Sequence, residues 1–147
     1  MDLRSAILQG FDYDQWANTK WVANLGQFRD MLRAQEILEH ILFAHKTWLS
    51  RCGIDWSQAQ FDVPLADLFG ASNDLWRAVI TDQQLTARVT YETSNGSEHR
   101  NTLEEIARHV LLHGAYHRGQ LRGLIELEGG RAFPETDFIF FLREFGD

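Results

Sequence analysis

The chain has 147 residues, 44% of them apolar, with 14 basic against 21 acidic side chains and a net charge of −7. A single domain of that size buries a working core without staples, and the lone Cys52 excludes an intrachain disulfide. The acidic balance, with no Lys/Arg cluster, argues against nucleic-acid binding and gives no reason to expect an anionic membrane surface as partner.

The N-terminal segment MDLRSAILQGFDYDQWANTK has charges interrupting every apolar stretch, so it lacks a signal-peptide core. No run reaches the roughly 20 apolar residues that span a bilayer. A reducing, cytoplasmic location is the expectation. The first helix is predicted from about Leu3 to Leu25, with Ile7, Leu8, Phe11, Trp16, Trp21 and Val22 apolar and Gly26 as its stop. A second runs from about Ala34 to Cys52 and ends at Gly53. Its Ile37, Leu38, Ile41, Ala44, Trp48 and Leu49 recur at the three-and-four spacing of a buried helix face.

Asp55 to Pro64 reads as a loop, followed by a third helix over Pro64 to Thr81 with the proline tolerated in its first turn. In TARVTYETSNGSEHR, Val89 and Tyr91 alternate with polar residues and Asn95-Gly96 signals a tight turn, so a small hairpin or an ordered loop follows. The fourth helix starts near Asn101 or Thr102, where Thr102 and Glu105 have capping-box spacing, and continues to Glu128 before Gly129-Gly130. The tail FPETDFIFFLREFGD is too apolar to float free, and Phe138, Ile139, Phe141 and Leu142 are expected to pack back. The fold class is mainly α: a single domain over 1–147, an up-and-down four-helix bundle with a minor hairpin or loop between the third and fourth helices.

Six histidines occur, and His109, His113 and His117 sit four apart in HVLLHGAYHRGQ. Side chains at i and i+4 stack on one helix face, so two such imidazoles can share one ion through ligand bonds of about 2 Å. The apolar stripe through Leu103, Ile106, Val110, Leu121 and Leu124 takes in His117, has His113 at its edge, and leaves His109 a step toward solvent. The inward pair is therefore His113 and His117. A third ligand must come from another helix, and the second offers His40 and His45. Periodicity puts His45 near the middle of the apolar face and His40 on its flank, which favours His45 as the inward residue and does not decide which is the ligand.

No histidine follows a glutamate by three, so the Glu-x-x-His pairs of carboxylate di-iron bundles are absent. HExxH is absent too, and Cys52 has no thiolate partner. What remains is a mononuclear imidazole site, whose three protein ligands leave a position open for water or substrate.

LEHILFAHKTWLSR, HVLLHGAYHRGQLRGLIELEGG, FDYDQWANTKW and FPETDFIFFLRE together give the chain its resemblance to the DinB/YfiT-like family of metal-dependent bundle proteins, over nearly its whole length. The run His117 to Gln120 is the most specific piece. The resemblance implies a three-histidine site in which His40, ahead of Trp48, joins His113 and His117. It also implies one divalent metal ion, zinc or nickel before other imidazole-compatible metals. The implied activity is that of a thiol-dependent transferase or isomerase, in which the metal activates a low-molecular-weight thiol, with activation of water and hydrolysis as the runner-up. A non-catalytic stress-response protein that binds metal and acts through association is the alternative. A small-molecule substrate and a homodimer are the expected partners, with no direct nucleic acid contact. His45 stands where relatives often carry an acidic residue.

Other residues carry plainer readings. Trp16, Trp21, Trp48 and Trp76 are core before they are cleft walls. Arg118 either contacts an anionic substrate at the metal or forms a surface ion pair. Cys52 reads as inert.

Overall fold

The computed structural model describes residues 1–56 and 63–146. Asp2 caps α1 (Leu3–Ala23) by accepting from the Ser5 amide, and a short 3-10 turn over Leu25–Gln27 follows. Asp30 caps α2 (Met31–Arg51) in the same way through the Arg33 amide. Gly53, at φ +89°, closes that helix in a conformation that side chains with a Cβ rarely adopt. After Pro64 comes α3 (Leu65–Asp82). Strands β1 (Arg88–Glu92) and β2 (Glu98–Thr102) pair antiparallel as the expected hairpin, with Val89 opposite Asn101 and Gly96 at φ +82° in the turn. A complete capping box of Thr102 and Glu105 opens α4 (Leu103–Leu127). The chain ends in α5 (Phe138–Phe145). Of the loop expected over Asp55 to Pro64, residues 57–62 lie outside the described residues.

The four long helices pack around two apolar clusters, but not as consecutive neighbours. α1 packs mainly on α3 and α4, and α2 packs on α4 and α3, so α1 and α2 are diagonal partners. Side-chain contacts give the directions. Arg4 donates to the Ile80 and Gln83 carbonyls while Asp12 meets Asn73 and Arg77, so α1 and α3 are antiparallel. Gly10 faces Leu111 and Asn18 meets Arg118, so α1 and α4 are parallel. His40 lies beside His117 and Trp48 beside His109, so α2 and α4 are antiparallel. Near one end of α2, Leu38 and Leu42 share a cluster with Leu68 and Phe69; near the other, Leu49 joins Val79 and Ile80. Thus α2 and α3 are parallel. The up-and-down succession expected from the sequence is corrected to up-down-down-up. A parallel pair cannot be joined by a tight turn, which accounts for the long stretch between Arg51 and Leu65.

The tail packs back only in part. Phe141 is buried against Tyr13 and Trp16, whereas Phe138 and Ile139 stay largely exposed, because an eight-residue helix lying on the surface has only one covered face. Of the tryptophans, Trp21 and Trp76 are core; Trp16 and Trp48 are half-buried at the surface.

Candidate metal centre

Between α2 and α4 three imidazoles meet. His40, His113 and His117 each offer a ring nitrogen, and these atoms all lie within 4.8 Å of one another. His113 Nε2 and His117 Nε2 are 3.0 Å apart, and the His40 ring centroid is 5.0 Å from that of His113 and 4.4 Å from that of His117. One turn of α4 supplies the pair, and the antiparallel α2 brings His40 to the same height. The three residues assigned by resemblance are thus the three that the fold brings together.

The donor set fits a divalent ion. Two ligand bonds of about 2 Å put their nitrogens some 3 to 4 Å apart; His113 and His117 stand at 3.0 Å, and His40 lies within 4.8 Å of both. His117 Nδ1 lies 2.5 Å from Gln120 Oε1, which can only accept, so the ring carries its proton on Nδ1 and turns the Nε2 lone pair inward. His113 Nδ1 is buried with no hydrogen-bond partner among the described residues. Burial first, then the neighbouring imidazoles of His117, His40 and His109, draws the His113 pKa down to about 4. Burial and then His117 and Arg33 lower His40 as well. Unprotonated nitrogens at neutral pH are what metal ligation requires.

His109 stays exposed on the solvent side of α4. Its ring centroid is 5.8 Å from His113 and 5.3 Å from Trp48, as the sequence spacing anticipates for a neighbour outside the cluster. A groove of about 1090 Å³ runs along the outer side of α2, with His40, Phe43, Lys46, Arg51, Trp56 and Leu65 among its walls. It reaches the triad through His40 alone.

His45 has entirely different surroundings. It is buried, as periodicity implies, but its nitrogens are committed. Ser72 Oγ lies 2.8 Å and Trp76 Nε1 3.1 Å from His45 Nδ1. An indole N–H can only donate, so Nδ1 accepts and the ring proton sits on Nε2. That nitrogen is 3.0 Å from Asp14 Oδ2, within ion-pair range though off the ideal hydrogen-bond line. Ser72, His45 and Asp14 superficially resemble a hydrolytic triad. Ser72 is fully buried and the indole occupies the nitrogen that would take its proton, so no substrate reaches it.

Arg118 corrects both of its sequence readings, because it is neither on the surface nor turned to the histidines. It is 3% exposed, and its Nη1 donates to Asp14 Oδ1 at 2.6 Å and to Asn18 Oδ1 at 2.8 Å. The centre of the inward face of α4 therefore runs through Gly114 and Arg118, with His113 and His117 beside it. Burial alone pushes the Asp14 carboxyl up, but Arg118 and His45 override it and hold the group at about 2. The sequence signal for this pairing is the stripe Ile7, Phe11, Asp14, Asn18, Trp21, whose helical spacing puts a carboxylate in the core and so demands a buried cation. Cys52 is buried, and burial raises its thiol to about 11, which leaves it inert at neutral pH.

No helix among the described residues is long and apolar enough to cross a membrane. No curated protein and no solved structure matches the chain. A family model described as the DinB family matches residues 23–144, which takes in α2 through α4, all three clustered histidines and most of α5. The chain belongs to the DinB family.

Proposed function

We propose that this protein is a metal-dependent enzyme that activates a low-molecular-weight thiol for transfer or isomerisation. The supporting observation is the convergence of His40, His113 and His117, whose ring nitrogens meet within 4.8 Å of one another among the described residues. When bound, a divalent ion such as zinc or nickel supplies a Lewis acid that favours the thiolate at neutral pH. The residues' own parts follow from their placement. His113 and His117 supply two of the nitrogens, Gln120 fixes the tautomer of His117, and His40 supplies the third from the opposite helix. Three protein ligands leave room for a small molecule, and the groove beside His40 offers space for it. Activation of water by the same centre is the hydrolytic variant.

Cobalt-loaded protein tests the proposal. Adding cysteine is expected to produce a sulfur-to-cobalt charge-transfer band and to accelerate arylation of the thiol by a chromogenic aryl halide. An unchanged spectrum together with an unchanged rate overturns the thiol reading.

A second reading, metal binding coupled to association with another copy of the chain, draws support from the outward face of α4. There Leu112 and Tyr116 are each 69% exposed. Sedimentation at micromolar concentration separates the two states.

A further inference from the structure

We infer that Asp14 is a positioning residue for the histidine cluster, its one carboxylate locking the two ligand-bearing helices in register. The inference rests on the reading of His40, His113 and His117 as a metal centre. Convergent ligands on separate helices need rotation and height fixed to about 0.5 Å, which sliding aliphatic contacts do not specify. Asp14, from α1, touches both helices close to their ligands. Its Oδ1 accepts from Arg118 Nη1 at 2.6 Å, one residue beyond His117. Its Oδ2 lies 3.0 Å from His45 Nε2, five residues beyond His40.

The surrounding residues hold this bridge in place. Asn18 Nδ2 donates to Asp14 Oδ2 at 3.0 Å, while Ser72 and Trp76 of α3 fix the His45 ring from its other nitrogen. Gly114, next to His113, lets α4 approach: a Cβ there would stand 2.5 Å from Asp14 Oδ1 and 3.0 Å from Arg118 Nη1. Stability alone is a poor account of such a cluster, because a buried ion pair exchanged for well-packed neutral residues often costs nothing.

That exchange supplies the test. Asp14→Asn alone leaves Arg118 as an unpaired buried charge and can unfold the protein, so the double variant Asp14→Asn/Arg118→Met removes both charges at near-constant volume. Chelator-treated wild type and double variant are titrated with cobalt(II) against a competing chelator, and their melting temperatures are compared. The expected result is a folded variant with a melting temperature close to wild type, cobalt affinity about 10–100-fold weaker, and an altered d–d spectrum. Equal cobalt affinity in the folded variant overturns the inference. If the double variant does not fold, Ser72→Ala, which loosens His45 without touching a charge, is expected to weaken cobalt binding several-fold, and unchanged affinity there overturns it.

A metal-free readout separates this inference from the metal reading. The His40 and His117 rings, 4.4 Å apart between centroids, give a nuclear Overhauser contact in the apo wild type that weakens in the variant. Wild type that takes up no cobalt defeats the metal reading, and persistence of that contact in the variant then defeats the positioning role separately.

Discussion

Two histidines five positions apart on α2 have opposite surroundings. His45 is buried among Asp14, Ser72 and Trp76, with Ser72 and Trp76 at its Nδ1 and the Asp14 carboxylate 3.0 Å from its Nε2. His40 is exposed and clusters with His113 and His117. A metal ligand needs a free lone pair, and burial is no guide to that. Among the described residues the inner histidine is hemmed in by protein partners and the outer one meets two other imidazoles, so the candidate metal site lies at the edge of the bundle and the Asp14 charge network at its centre.

The sharpest way to break that contrast is to strip the charge network. Arg118→Ala leaves the Asp14 carboxylate buried without its cation and is expected to cost about 3–5 kcal/mol in urea unfolding. A loss below about 1 kcal/mol would mean the pair is not the buried one described here.

Acid probes both regions in the chelator-treated protein. Asp14 is depressed from 3.8 to about 2 in the folded state, so its contribution is present above pH 3.8 and lost as pH falls from there through 2. His113 is depressed from 6.5 to about 4, so between those values the unfolded chain binds the extra proton and stability falls as pH drops through that window. Urea midpoints between pH 7 and pH 2 are expected to fall in two steps, the upper one smaller in His113→Ala, where the lowered His40 remains. A flat profile down to pH 4 would contradict the half-buried, neutral His113.

Glycine substitutions sharpen the contrast at smaller scale. Gly114→Ala drives a methyl into Asp14 and Arg118 and is expected to cost about 1–3 kcal/mol. Gly119→Ala meets nothing within 4 Å and is expected to stabilise by up to about 1 kcal/mol, because alanine favours a helix. Equal effects from the two, read as melting temperatures, would deny the close approach at Gly114. On the triad side, His40→Gln is expected to shift stability by no more than about 0.5 kcal/mol while weakening metal uptake. A large stability loss there would make His40 a structural residue.

Much of the fold was legible because local signals and tertiary structure agree. The caps at Thr102 and Glu105, the Asn95-Gly96 turn and the glycines after α2 and α4 set the elements within a few residues. Helix order round the bundle was not legible, since a parallel α2 and α3 depend on pairwise packing that no local pattern encodes. At the site, the spacing of His113 and His117 marked the pair, and motif resemblance selected His40 where periodicity leaned to His45. Periodicity was right that His45 points inward; it carries no information about which nitrogens are already engaged. The Asp14–Arg118 pair went unread because an arginine beside a metal motif looks like a substrate contact. The matching carboxylate lies more than a hundred residues away in the sequence, on α1.

Elemental analysis of protein purified without chelator, beside His113→Ala treated identically, tests the central claim most directly. The account predicts about one equivalent of a divalent metal in the wild type and essentially none in the variant, with both folded by circular dichroism. Metal retained by the variant, or none in the wild type after incubation with zinc and nickel, would contradict it.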